Sequence, residues 1–217
     1  MDVLVDLDGT LIDPKPGIIS SVQYALERLG ARVPPAEELL WVIGPPLRMS
    51  FPKLLGASGR IGEAVALYRQ NYLGGAMYDA IVYPGVADAL DALRAAGCRL
   101  FVATAKPHSY ARLVMRHFGL DPYFAGIYGP ELDGTNDSKA DLIAHIAASE
   151  GLNPDASIMI GDRALDVTAA ARNGIRAIGV TWGYGSSEEL TAAGAAALCE
   201  TPDALAEAVL GLIRGVG

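Results

Sequence analysis

Asp6 and Asp8 are separated by one residue and follow the apolar run Val3-Leu4-Val5. A buried strand has no packing reason to run into Asp-x-Asp, because an unpaired buried carboxylate either costs several kcal/mol or takes up a proton. Two acids flanking the end of a strand require a cation, a proton or both. Gly9 follows at once. It lets the chain turn sharply and lets backbone N–H groups face a ligand, which makes it a candidate contact to an anion.

Other chemistry-bearing residues stand at corresponding places further along. Phe101-Val102-Ala103 runs into Thr104-Ala105-Lys106-Pro107. The Thr104 hydroxyl and the N–H groups of that turn, with the following helix N-terminus, are suited to phosphate oxygens. Ile158-Met159-Ile160 runs into Gly161-Asp162-Arg163-Ala164-Leu165-Asp166, which places Asp166 one helical turn beyond Asp162 on the same face. Lys139 begins a helical segment between the two.

The elements that must position these residues alternate in type. Strand-like runs are Val3–Leu7, Arg99–Ala103, Ala125–Tyr128, Ser157–Ile160 and Ala177–Val180, with a weaker one at Ala197–Cys199. Helical periodicity marks Pro84–Ala96, His108–Phe118, Lys139–Ser149, Ala164–Asn173, Glu188–Ala193 and Asp203–Ile213. This order predicts an α/β fold: a Rossmann-like, doubly wound parallel sheet with helices on both faces and ligands at the carboxyl ends of the strands. One stretch breaks the pattern. Ile18–Leu29, Ala36–Ile43, Met49–Leu55 and Ile61–Met77 are helix-like and are separated by Pro34-Pro35, Pro45-Pro46 and Gly56–Gly59. The expected organisation is therefore a core of residues 1–13 and 81–217 with a helical insert over 14–80, able to close over the site and exclude water.

Charge decides what fills such a site. Two unit charges about 4 Å apart repel by roughly 4 kcal/mol at an effective dielectric near 20. Clustered carboxylates plus a phosphate dianion therefore need cations. Oxygen-only ligands with positions left for water favour Mg²⁺, and Lys139 or Lys106 supplies the remaining positive charge. The chemistry that fits is phosphoryl transfer, where positioning and charge neutralisation do most of the catalysis.

Taken together, Asp-Leu-Asp-Gly-Thr, the Thr after the second core strand, the later Lys and Gly-Asp-x-x-x-Asp resemble the four motifs of the haloacid dehalogenase superfamily. The resemblance spans nearly the whole chain, and the insert after the first motif is similar to the helical C1 cap of that family. Ile43-Gly44-Pro45-Pro46-Leu47 and Gly-Asp-Arg-x-x-Asp resemble the branch called phosphoglycolate phosphatase-like or 5′-nucleotidase-like. The resemblance implies Asp6 as nucleophile, Asp8 as acid and then base, and Thr104 as binder of the transferring phosphoryl group. It implies Lys139 as neutraliser of Asp6 and phosphate. Mg²⁺ would be held by Asp6, the Asp8 carbonyl and Asp162, with Asp166 as a ligand or just behind one. Gly9, Thr104, Ala105 and Lys106 would contact the phosphate. Dehalogenases lack an acid at the place of Asp8, and P-type pumps carry Lys and Thr after the nucleophile, so neither reading suits this chain.

Most other polar residues have plainer readings. Arg163 can pair with neighbouring acids; His108, His117 and His145 belong to helices; Tyr68, Tyr72 and Tyr78 fall at helical spacing and read as packing. Arg48, after Gly-Pro-Pro-Leu, reads by default as solvated surface, but a guanidinium there would suit an anionic substrate. The chain has 217 residues, 51% of them hydrophobic, and a formal charge of −8. That composition supplies a large core and argues against nucleic acid or an anionic membrane as partner. No apolar run reaches the length of a membrane span and no signal peptide is visible. Cys98 and Cys199 read as reduced core thiols of a cytoplasmic protein. The expectation is a Mg²⁺-dependent hydrolase of a small phosphorylated metabolite, monomer or homodimer, working through an aspartyl-phosphate. A nucleotidase, a phosphomutase and a non-catalytic binding protein are the alternatives.

Overall fold

A computed structural model describes residues 1–56 and 59–214. In chain order the elements are β1 (Asp2–Val5), β2 (Ile12–Asp13), α1 (Lys15–Arg28), α2 (Leu47–Leu55), α3 (Ile61–Leu73), β3 (Ile81–Val82), α4 (Val86–Ala95), β4 (Arg99–Ala103), α5 (His108–His117) and β5 (Gly126–Tyr128). They continue with α6 (Lys139–Glu150), β6 (Ser157–Gly161), α7 (Ala164–Arg172), β7 (Arg176–Val180), α8 (Ser187–Ala192), β8 (Ala197–Cys199) and α9 (Leu205–Arg214). The chain divides into two compact units, Met1–Ile12 with Val82–Gly217, and Asp13–Ile81.

In the first unit six strands form a parallel sheet in the order β5-β4-β1-β6-β7-β8. This is the α/β, Rossmann-like arrangement that strand–helix alternation predicts. From β1 the chain first extends the sheet on one side through β4 and β5, then returns to build β6, β7 and β8 on the other. The order therefore reverses beside β1, and doubly wound sheets open their ligand crevice at such a reversal. Register makes the strand ends level there: Val5 lies opposite Val102 on one side and Ile160 on the other. Asp6, Thr104 and Asp162 consequently leave the sheet together. The strands carry apolar residues on both faces because helices cover both. Leu4, Phe101 and Met159 pack with Ile143 and Ile146 of α6 and Val167 and Ala170 of α7, all buried. Cys98 and Cys199 are buried free thiols.

In the helical unit α1 buries Ile18, Ile19, Val22, Ala25 and Leu26, a stripe recurring at three and four residues. It packs against α3, where Asn71 Nδ2 donates to Ser21 Oγ at 3.0 Å. Phe51 meets Tyr68 edge-on, and Tyr68 stacks on Tyr72 with centroids 5.2 Å apart. Two helical segments of this unit depart from the reading of the sequence. The first, Ala36–Ile43, is a 3₁₀ helix over Ala36–Val42, hemmed in by Pro35 before it and Pro45-Pro46 after it. The second, Ile61–Met77, stops at Leu73, because Gly74-Gly75 breaks it; Gly75 takes φ +136 and a separate 3₁₀ turn follows at Ala76–Tyr78. The middle of the Gly56–Gly59 break lies outside the described residues.

Candidate active site

β1 ends at Val5, two residues earlier than apolarity suggests, because the next backbone groups turn back on themselves. Leu7 O accepts from Leu11 N at 2.9 Å and Ile12 N at 3.1 Å, and Gly9 N donates to Ile12 O at 2.8 Å. Asp6 N still donates to Ile160 O at 2.9 Å, so Asp6 is anchored to the sheet while its side chain faces the crevice. Gly9 has φ +86, and a Cβ there would stand 2.2 Å from Asp162 Oδ2. Both the conformation and the space demand glycine.

The second strand end supplies Thr104, buried, whose Oγ1 accepts from Lys106 N at 3.2 Å. That short turn directs the buried Lys106 side chain to Asp8, with Nζ 2.6 Å from Oδ1. Ala105 is half-buried between them. Lys139 begins α6, where a cation opposes the helix dipole. Acids hold it there: Nζ is 2.7 Å from Asp6 Oδ1 and also contacts Asp166 Oδ1. Asp166, in the first turn of α7, accepts from Arg163 N at 3.0 Å through Oδ2. Both Asp166 oxygens therefore have partners.

Asp162 is different. Its Oδ2 accepts from Tyr184 N at 2.8 Å, whereas Oδ1 is buried without a hydrogen-bond partner among the described residues. Carboxylate oxygens of Asp6, Asp162 and Asp166 lie within 4.8 Å of one another. A buried acid with one orphaned oxygen, clustered with two further acids, fits a hard divalent cation with oxygen ligands. The Asp8 carboxylate is engaged by Lys106, which leaves its backbone carbonyl as the group Asp8 would offer a metal.

The electrostatics match this crowding. Burial pushes the Asp162 carboxyl well above its ordinary range, and the charges of Asp166 and Asp6 push the same way. Burial raises Asp166 to about 6, against the pull of Lys139. Asp8 is raised by burial, partly offset by Lys106. For Lys139, burial disfavours the cation, but Asp166 and Asp6 outweigh it and hold it charged. These raised carboxyls hold their protons to higher pH than ordinary ones, and a bound cation would favour their release.

The core residues assigned from the sequence to catalysis, metal or phosphate thus lie at one end of one sheet. Arg48 lies in the first turn of α2, exposed within the helical unit. Sequence reasoning missed the segment after β7. Trp182 Nε1 donates to Thr10 O at 3.0 Å, and Glu189 Oε1 accepts from Ala164 N at 2.8 Å and Arg163 Nε at 3.2 Å. The signal was present as Trp-Gly-Tyr-Gly following an apolar run. Also missed were the buried Thr10 Oγ1, and Ser50 Oγ and Arg69 Nε in the helical unit, which lack hydrogen-bond partners among the described residues.

The chain is similar to known proteins. Residues 3–180 match the family model described as haloacid dehalogenase-like hydrolase. A 5′-nucleotidase of Pseudomonas aeruginosa is 46% identical over 88% of this chain and 87% of its own. Tyrosine-protein kinase PtkA of Mycobacterium tuberculosis is 39% identical over 86% of this chain, which spans 64% of PtkA. Among solved structures, a predicted phosphatase from Clostridium acetobutylicum superimposes with a TM-score of 0.93 at 38% identity, covering 97% of this chain and 98% of that one.

Proposed function

The chain belongs to the haloacid dehalogenase-like hydrolases and is a phosphatase of that family, and from that premise we propose a Mg²⁺-dependent hydrolysis of a small phosphate monoester through an aspartyl-phosphate on Asp6. The observation that carries this reading is Lys139 Nζ bound to Asp6 and Asp166, which cluster with Asp162, a buried acid whose Oδ1 has no hydrogen-bond partner among the described residues. It is an acid-rich cluster at the sheet's reversal point, three carboxylates to one lysine, with Thr104 on one side of β1 and Asp162 on the other.

An Asp6 carboxylate oxygen attacks phosphorus, and the bond to the leaving oxygen breaks as Asp8 delivers its proton there. Burial raises the Asp8 carboxyl above its ordinary range against the pull of Lys106, the direction a proton donor needs. Asp8 then accepts a proton from the water that attacks the phosphoryl group and frees Asp6. Thr104 Oγ1, the Ala105 and Lys106 turn and Gly9 hold phosphoryl oxygens; Lys139 fixes the attacking carboxylate and Lys106 fixes Asp8. Asp6, Asp162 and the Asp8 carbonyl would hold Mg²⁺, with Asp166 steadying Lys139 and the α7 turn behind them. When bound, the ion neutralises charge on the nucleophile and the phosphoryl oxygens.

We assign residues 14–80 the part of a cap that excludes water and reads the leaving group, with Arg48 as its anion reader. Two leaving groups compete. The phosphoglycolate-like reading rests on the Gly44–Arg48 sequence and implies a small carboxylate. The name of the Pseudomonas aeruginosa relative favours a nucleoside 5′-monophosphate. Tyr68 and Tyr72 are buried packing residues, so they make a poor platform for a base, and the small carboxylate is our first choice. The enzyme is read as cytoplasmic; among the described residues no helix is long and apolar enough to cross a membrane. The deciding experiment is phosphate release from phosphoglycolate, nucleoside 5′-monophosphates and p-nitrophenyl phosphate, with and without Mg²⁺. No release from any of them with Mg²⁺ present would overturn the reading.

A further inference from the structure

We propose that the segment Thr181–Glu189 is a positioning clamp that sets the Asp162 carboxylate for metal binding by fastening the turn after β1 to the turn after β6. The inference rests on the metal reading of the site and goes beyond it, because these residues belong to none of the four motifs.

The side chain of Asp162 lies between two glycines from distant parts of the chain. A Cβ at Gly9 would stand 2.2 Å from Asp162 Oδ2. A Cβ at Gly183 would stand 2.4 Å from Asp162 Cβ and 2.4 Å from the Gly9 carbonyl oxygen. Gly183 does not take a positive φ, so it is glycine for space and not for backbone freedom. A Cβ at Gly185 would stand 2.0 Å from the Asp162 carbonyl oxygen. The loop is pressed against the ligand at both its side chain and its backbone.

Hydrogen bonds fix the same contact in direction. The Tyr184 N–H takes Asp162 Oδ2 at 2.8 Å, Oδ1 is buried with no hydrogen-bond partner among the described residues, and a carboxylate oxygen of Asp162 lies within 4.8 Å of those of Asp6 and Asp166. Trp182 Nε1 at 3.0 Å from Thr10 O ties the loop to the turn that carries Asp8 and Gly9. Beyond the loop, Ser186 caps α8, and Glu189 reaches the first backbone N–H of α7 at 2.8 Å. One segment thus touches both acid-bearing turns. Groups that orient a metal ligand in this way set affinity nearly as strongly as the ligand does.

The test reads metal binding by the metal-free protein, independent of turnover. Mg²⁺ is titrated calorimetrically into wild type, Gly183→Ala, and a protein whose Gly183–Tyr184 amide is replaced by an ester. The ester removes only the N–H that holds Asp162 and keeps every side chain, so it tests the clamp even where Gly183→Ala does not fold. Both changes are expected to weaken Mg²⁺ binding by about 10- to 100-fold, and saturating Mg²⁺ is expected to restore most of the turnover of the ester protein. A merely structural role would lower the melting temperature and leave the Mg²⁺ Kd unmoved, and that result would overturn the clamp while leaving the metal reading intact. Absence of Mg²⁺ binding by the wild-type protein would overturn the metal reading and the clamp together.

Discussion

Lys106 Nζ stands 2.6 Å from Asp8 Oδ1, and both side chains are buried. Lys139 is engaged with Asp6 and Asp166 instead. The two lysines therefore do not compete for one role: each partners a different acid of the Asp-x-Asp pair. A charge-assisted bond in so dry a place is short and directional, so Lys106 fixes where the Asp8 carboxyl points.

Removing Lys106 should therefore cost far more than removing a surface lysine. Breaking a buried ion pair by deleting one partner costs about 3–5 kcal/mol. Lys106→Met should approach that loss, and Asp8→Asn in the same protein should recover most of it. Urea midpoints of the four proteins in a double-mutant cycle measure the coupling. Strictly additive losses would show that the two groups do not stabilise one another.

Asp6→Asn should abolish turnover and leave the fold intact. The swap is nearly isosteric, and Asp6 N stays anchored to Ile160 O. It removes the only carboxylate we place in line with phosphorus. Steady-state hydrolysis of any accepted monoester is the measurement, and retention of about a tenth of wild-type kcat, roughly 1.4 kcal/mol in barrier, would remove Asp6 as nucleophile.

Activity should require Mg²⁺ and should be inhibited by Ca²⁺. The ligand set is all oxygen, and Ca²⁺ takes more ligands at longer distance, which would draw the Asp6 carboxylate away from its line of attack. Dialysis against EDTA followed by assay with each ion decides this. Undiminished activity in excess EDTA would contradict it.

The metal-free protein should lose stability as pH rises from about 4 to about 6, the window between the ordinary value of Asp166 at 3.8 and its raised value of about 6. In that window the folded state holds a proton on Asp166 that the unfolded chain has released, so raising the pH favours unfolding. Asp162 and Asp8 are raised as well and add in the same direction. A shift of this size is worth no more than about 3 kcal/mol. Thermal melts in EDTA, compared with Asp166→Asn, isolate the effect. Identical slopes for the two proteins would show that Asp166 ionises no differently in the fold, and Mg²⁺ should flatten the wild-type slope because it binds the deprotonated form.

Much of the core site was legible in the sequence because chemistry and periodicity pointed to the same residues. Apolar strands ending in Asp6, Thr104 and Asp162 violate burial rules unless a ligand waits there, and strand–helix alternation places all three at one end of a parallel sheet. What was not legible depends on contacts distant in sequence. Nothing local says that Lys106 turns to Asp8, 98 positions away, or that Gly183 is glycine because Asp162 fills its side-chain space. In the helical unit, Gly74-Gly75 overrode a pattern that otherwise continued to Met77, since two glycines weaken a helix more than apolar spacing supports it.

On the proposed reading the core residues serve phosphate, metal and one another, so discrimination between leaving groups must come from outside them. Gly44-Pro45-Pro46 enters α2 as a stiff turn, with Gly44 at φ +100, and it presents Arg48 from the first helical turn at a fixed angle. Arg48 is exposed in its own unit, and a guanidinium so placed prefers a second anionic group. Arg48→Ala should raise KM for phosphoglycolate by about tenfold, the loss of one charge-assisted contact of about 1.5 kcal/mol, while changing p-nitrophenyl phosphate little. Arg69→Ala is the companion variant, because its Nε is buried with no hydrogen-bond partner among the described residues, which leaves that guanidinium bonding capacity to spare. Equal changes in kcat/KM for the two substrates in Arg48→Ala would show that Arg48 does not read the leaving group. A selective loss confined to Arg69→Ala would move that role to α3.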